Sequence, residues 1–379
     1  MNAPVLLTGL RYKDCAVPGV YEAIVPLMLA SYACNDTRKF HYTQQLTMGN
    51  NIFPDVLRAH AHYMDAVAFL KSNPHAGWLG VVKTHSHTTL GGLLTMEFET
   101  DDGEKIENEF QLVSEALPYW FGRPILDLIS GSSGVRHPRT LVLQVCGPVV
   151  SVEKSRKDME QLILDDVLDA IVALSRDFVT PELLTPPLST FCNNLYTLTD
   201  IYDVTPTARV IRALELAFGN QVHVLQHTAV VLIAKGGDGV ETTAFAHGPP
   251  QTRPWGIPVP VCGLCGRNAS ILVDSQDKTF YFDEQVSIEG EKGDKVSVVM
   301  TKKTKYKCFS CGAQARVARP DDVNVWRSPW LRHHYTYPYP TTIDATWEKP
   351  NQVTAEDAEM SDAATPNTTK PAPKKSKRY

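Results

Sequence analysis

The stretch RTLVLQVCGPVV, residues 139–150, decides how the first two thirds of this chain are read. It is an apolar run of strand length with almost no polar alternation. That pattern marks a strand covered on both faces, the usual state of a strand inside a parallel sheet. The run ends in Cys146 and is broken by Gly147-Pro148. Open α/β sheets build their sites at the carboxyl ends of strands, so a cysteine in this place is either a buried small hydrophobe or a nucleophile.

Reading outward, strand and helix patterns alternate on both sides. GWLGVVKTHSH (77–87) is strand-like and finishes in histidines, and GGLLTMEFETDDGEKI (91–106) predicts a hairpin about Asp102-Gly103. ENEFQLVSEAL (107–117) reads as a helix, as does the charged amphipathic segment 153–168. DAIVALS (169–175) is a further strand. Thr205, Pro206 and Gly219 bracket a helix with a cap, a first-turn proline and a stop. HTAVVLIA (227–234) closes the series and KGGDGVETT interrupts it. Residues 1–247 are therefore expected to form an α/β domain, a mostly parallel sheet sandwiched by helices.

The chain has 379 residues, a net charge of −5 and 43% hydrophobic residues, which permits a sizeable core and argues against nonspecific nucleic-acid binding by the whole molecule. No apolar run approaches the roughly 18 residues of a membrane span, so no membrane association is expected. The start, MNAPVLLTGLRYKDC, lacks the basic beginning of a secretory signal. Of eight cysteines, Cys15, Cys34, Cys146 and Cys192 are isolated, while Cys262/Cys265 and Cys308/Cys311 form two close pairs. Paired thiols without a leader point to an intracellular metal site, not to disulfides.

The character of the chain changes at 248. GPPQTRPWGIPVP (248–260) has five prolines in thirteen residues and reads as a linker. VCGLCGR and YKCFSCGAQ then repeat Cys-x-x-Cys-Gly. The two-residue gap turns both sulfurs toward one ion, and four thiolates suit tetrahedral zinc. The intervening segment alternates β-branched and aromatic residues as hairpins do. Residues 261–340 are thus expected as a zinc ribbon, with Cys262, Cys265, Cys308 and Cys311 as ligands of a structural Zn2+ and an aromatic extension containing Trp326, Trp330, Tyr335, Tyr337 and Tyr339. The basic TKKTKYK (301–307) offers a contact for phosphates or an acidic protein face, or is simply a solvated strand edge. Residues 341–379 are polar, acidic and then basic, and are expected to be disordered. Their end, KKSKR, resembles a nuclear-import patch.

The order strand, histidine, hairpin, helix, strand, cysteine, helix, strand resembles the caspase-like cysteine peptidases, in particular their CHAT-type branch. The resemblance covers about residues 1–235. SHT (86–88) stands where the family has Ser-His-Gly at the end of one strand, and QVC (144–146) where it has the nucleophile at the end of the next parallel strand. The resemblance implies a caspase-hemoglobinase-like fold and a cysteine endopeptidase acting on protein, with Cys146 as nucleophile and His87 as its acid or base. The sequence departs from the family in Thr88, which replaces the glycine, and in Pro148. His85 lies two residues from His87, on the same side of an extended strand, and is the alternative imidazole. The rival expectation is a catalytically inactive scaffold whose ribbon binds protein or nucleic acid.

Overall fold

The computed structural model describes residues 4–15, 19–33, 37–43, 45–48, 61–99, 106–130, 137–176, 180–197, 205–249, 253–267, 281–289, 295–326 and 333–349. Cys34, Trp330 and the tail from 350, with its basic end, lie outside them. Along the chain the first elements are β1 (Val5–Tyr12), α1 (Val20–Ala33), β2 (Phe40–Tyr42), β3 (Leu46–Met48), α2 (Ala61–Ser72) and β4 (Gly77–His85). A hairpin follows, β5 (Leu93–Glu99) and β6 (Ile106–Gln111), then α3 (Val113–Phe121) and α4 (Arg123–Ile129). Next come β7 (Arg139–Cys146), α5 (Glu153–Leu164), β8 (Ala170–Leu174), α6 (Pro181–Thr197), α7 (Pro206–Phe218), α8 (Val222–His227), β9 (Val230–Lys235) and β10 (Val240–His247). The C-terminal part contains β11 (Tyr281–Glu289), β12 (Lys295–Lys307), β13 (Gln314–Ala318), β14 (Asn324–Val325), β15 (His334–Pro338) and β16 (Trp347–Glu348).

The central sheet is α/β and mixed. Its order is β14-β15-β10-β9-β8-β7-β4-β1-β2, with β3 also paired to β1. From β2 to β8 every pairing is parallel, and from β8 outward every pairing is antiparallel. The alternation of each strand sorts its side chains onto two faces. One face, with Leu6, Leu10, Trp78, Val82, Leu141 and Leu143, packs on α2, α3, α4 and α5. The other, with Val5, Leu7, Leu79, Val81 and Val142, packs on α1, α6 and α7. The helix after Thr205 starts and stops where expected, with Thr205 Oγ1 accepting the N–H of Ala208 at 3.3 Å. Among the described residues no helix is long and apolar enough to cross a membrane.

Several boundaries differ from the sequence expectation. Residues 106–111 form β6, not the start of a helix, because β5 offers them a partner along their whole length. The break after β9 is a tight connection, and β10 returns antiparallel beside it. The segment expected as a linker is packed: Trp255 is fully buried, and its Nε1 donates to the Thr301 carbonyl at 2.7 Å. The aromatic extension does not belong with the cysteine-bearing sheet. β15 pairs with β10 and carries Tyr335 and Tyr337 into the interior, so these residues complete the central sheet. Finally, β16 pairs with β13, so ordered structure runs past the expected start of the tail at 341.

The amino end of β7 is fixed by a buried ion pair. Arg139 is 1% exposed and donates through Nε and Nη2 to both carboxylate oxygens of Asp169, at 3.0 and 2.9 Å. Asp169 also accepts the Arg139 backbone N–H, while Nη2 reaches Asp166 at 3.0 Å and Nη1 the Ile129 carbonyl at 3.1 Å. Removing one member of such a pair leaves the other charged and desolvated. Asp169→Ala is therefore expected to lower unfolding stability by about 3–5 kcal/mol in urea titrations.

A second expectation concerns the outer strands. His247 of β10 and His334 of β15 are register partners, both buried, with their Nδ1 atoms 3.3 Å apart. Burial, then His334 and His333, push the His247 imidazole down to about 4 from its ordinary 6.5. The native state thus favours the neutral ring. Its contribution to stability is complete above pH 6.5 and is lost as the pH falls toward 4. Denaturant midpoints measured across that window should decline for the parent chain, and His247→Gln should flatten the decline.

Candidate active site and metal centre

The strands of the parallel half switch from apolar to polar together at their carboxyl ends. On the α1 face, Leu7, Val81 and Val142 give way to Arg11, Lys83 and Gln144, which are register partners across β1, β4 and β7. One step further, His85 stands opposite Cys146. In a parallel ladder, partners in register project to the same side, so imidazole and thiol share one rim. The amino end of α1 closes this rim from below. Glu22 accepts the Gly19 N–H at 2.8 Å and pairs with Arg11 at 3.1 Å, and Gln144 Oε1 accepts the Val20 N–H at 3.3 Å. Carboxylate and amide oxygens at a helix start satisfy N–H groups that have no partner within the helix.

Cys146 is half-buried, and the chain turns sharply after it. Gly147 has φ +127°, and a Cβ there would come within 2.2 Å of Ser86 Oγ. Only glycine lets β7 end against the β4 rim in this way. The Ser86 N–H donates to the Cys146 carbonyl at 2.9 Å, the last rung of the ladder.

His85 and His87 have different surroundings. His85 Nε2 lies 3.8 Å from Cys15 Sγ, and the Tyr12 ring meets the imidazole edge-on at 6.3 Å. Burial raises the Cys15 thiol above its ordinary value, against the opposing charge of Lys83. Beside it, Lys13 and Glu97 form an ion pair at 2.9 Å. His87 lies beyond the strand, in the connection to β5. Its Nδ1 accepts the N–H groups of Thr89 and Leu90, both at 3.2 Å, and its ring meets Phe110 edge-on at 5.0 Å. An Nδ1 that accepts backbone N–H bonds is unprotonated, so Nε2 carries the hydrogen.

The structure thus brings His85 into register with Cys146 and leaves His87 two residues further along, held by its own turn. Cys15 joins the rim although nothing in its sequence surroundings marked it. Lys83 and Gln144 were marked in principle: they and the site residues occupy i and i+2 positions at the ends of two otherwise apolar strands. Cys192, by contrast, is fully buried on α6, and burial drives its thiol upward.

The second cluster lies in the other sheet. Cys262, Cys265, Cys308 and Cys311 bring their sulfurs within 4.8 Å of one another and could hold a metal ion. Two cross-knuckle separations are 3.7 Å (Cys262 to Cys311) and 3.5 Å (Cys265 to Cys308). The knuckles have the same backbone. The Cys262 and Cys308 carbonyls accept from Gly266 and Gly312, both at 2.8 Å, and both glycines have positive φ, 67° and 75°. The Cys311 N–H is the main cause that holds the Cys308 thiol down to about 6. All seven cysteines among the described residues are free thiols. In comparisons with known proteins, no family model matches this chain and no curated protein matches it.

Proposed function

We propose that the chain is a cysteine endopeptidase of the caspase-like, CHAT-related type, with a structural zinc site in its C-terminal sheet. The single observation that carries the peptidase reading is the β4–β7 register, which sets His85 opposite Cys146 at the carboxyl rim of a parallel sheet. In this reading the Cys146 thiolate attacks the scissile carbonyl carbon, forming a C–S bond. The C–N bond then breaks as imidazolium gives its proton to the leaving amine, and water hydrolyses the thioester. The resemblance assigned the imidazole to His87. The register sets His85 opposite Cys146 and leaves His87 beyond the strand, so the reading gives proton transfer to His85. A rival observation favours an inactive scaffold: the thiol within reach of His85 is Cys15.

Hydrolysis of a mixed peptide library separates these readings. Cys146→Ala should abolish cleavage, and His85→Ala should reduce it by about 10²- to 10⁴-fold while His87→Ala spares it. The reverse histidine result returns the role to His87. No hydrolysis by the parent, with iodoacetamide labelling Cys146 no faster than Cys15, makes the domain a scaffold.

For the metal, four sulfurs at about 2.3 Å from a tetrahedral zinc stand about 3.8 Å apart. The cross-knuckle separations of 3.7 and 3.5 Å suit that arrangement. Cys262, Cys265, Cys308 and Cys311 would hold the ion, and a closed set of thiolates contributes folding energy instead of an open coordination position. The purified chain should contain one zinc per molecule by mass spectrometry of metals. Cys308→Ser should lose it, and chelation should lower the melting temperature. Intracellular and nuclear placement belongs to the same reading and rests on these thiols and on the KKSKR segment.

A further inference from the structure

Two thiols of the rim flank one imidazole. Cys15 Sγ lies 3.8 Å from His85 Nε2. Cys146 is the register partner of His85 across the β4–β7 ladder. The three residues end three neighbouring strands, β1, β4 and β7, with the histidine on the middle one. Burial, against the charge of Lys83, raises the Cys15 thiol, and Cys146 is the next cause, ahead of Asp14, its neighbour in the chain. Cys15 stands three residues past the end of β1, beyond the last rungs of that strand, and its N–H closes a turn on the Tyr12 carbonyl at 3.0 Å. Both thiols are half-buried. The other thiols among the described residues are elsewhere: Cys192 is fully buried on α6, and four belong to the second cluster.

We propose that Cys15 and Cys146 form a redox site that a hydroperoxide closes to a disulfide, with His85 carrying the protons. In the first step the Cys146 thiolate attacks one peroxide oxygen. An S–O bond forms, the O–O bond breaks, and the departing oxygen leaves with the proton that Cys146 gave to His85. In the second, His85 takes the Cys15 proton and the Cys15 thiolate attacks the sulfenic sulfur. The S–S bond forms, and the S–O bond breaks as the imidazolium returns the proton, releasing water. With hydrogen peroxide, two thiols thus give one disulfide and two waters; both sulfurs are oxidised and both peroxide oxygens reduced. Burial keeps Cys15 protonated, so it resolves the sulfenic acid and does not begin the reaction. A disulfide spans about 4.4–6.8 Å between Cα atoms, and the turn at Cys15, not the ladder, gives way to close it.

The test is exposure of the full chain to hydrogen peroxide, alkylation of the remaining thiols, and peptide mass spectrometry without reduction. The expected product is a Cys15–Cys146 cross-linked peptide pair, two hydrogens lighter than the separate peptides and lost on treatment with dithiothreitol. Cys15→Ser should lose the cross-link entirely and carry Cys146 on to sulfinic acid, the fate of a sulfenic acid with no thiol to meet. His85→Gln should slow cross-linking about 10²-fold, the lower end of what a positioned acid–base group contributes. The parent chain alone decides whether the disulfide forms, so a variant that fails to fold leaves the test intact.

Cys146 that reaches sulfinic acid in the parent without a cross-link overturns the proposal. So does a disulfide from Cys146 to Cys34 or Cys192, or one that joins two chains and doubles the mass on a non-reducing gel. Cross-linking of folded His85→Gln at the parent's rate removes the imidazole from the chemistry and overturns it as well. Peptide hydrolysis should fall as the cross-link forms and recover with dithiothreitol. That consequence alone rests on the peptidase reading; the disulfide is read by mass and stands or falls without it.

Discussion

The eight-residue parallel ladder between β4 and β7 is the constraint on which the candidate site depends. A parallel ladder has a side-chain period of two, so a slip of one residue would turn His85 and Cys146 to opposite faces. The register is held at both ends by different means. At the amino end, the Tyr196 hydroxyl lies 2.9 Å from the Trp78 carbonyl of β4 and 2.8 Å from the Pro138 carbonyl that precedes β7. At the carboxyl end, Gly147 lets the chain turn against Ser86 without a clash. Between them, buried apolar side chains on both faces fill the two layers of helices. The chemistry of the rim is a consequence of this frame, since each polar residue there continues a strand whose earlier residues are core.

The C-terminal part is coupled to this frame in two ways. Trp255 and Tyr337 bring the entering segment and β15 into one apolar cluster with Tyr306 and Trp347 of the small sheet. The strands β14 and β15 then extend the central sheet beyond β10. The four cysteines lie between these two attachments in sequence, so closing the knuckles around an ion would also shorten the path from Trp255 to β15.

Much of the fold could be read from residue patterns, and the exceptions share a cause. β4, β7, β8 and β9 were legible because uninterrupted apolar runs have few alternatives inside a parallel sheet. The helix from Pro206 was legible through its cap and its stop. What failed was decided by distant partners. IENEFQ has little intrinsic preference for a strand, and it is one because β5 lies beside it. PELLTPPLSTFCNNLYT was unreadable as a helix because its three prolines argue locally against one, yet Leu184, Leu188, Phe191 and Leu195 bury a continuous stripe. Likewise HYTYP resembled an extension until β10 was available to pair with it. At the site, the cysteine and the two histidines were visible by type and by their place at strand ends. Which histidine stands opposite Cys146 needed the register, and Cys15 needed the fold, because it comes to His85 across seventy residues.

The position of β15 bears on how the chain is made. The edge of β10 is a row of open backbone groups until residues 334–338 arrive, and these follow almost ninety residues after it. During synthesis the α/β domain emerges first, with that edge uncovered while the cysteine-bearing sheet is still being produced. A fragment cut at the proline-rich segment would keep every rim residue and still carry a ready template for intermolecular pairing. The last strand of the sheet is in this sense a built-in protective cover, supplied late by the same polypeptide.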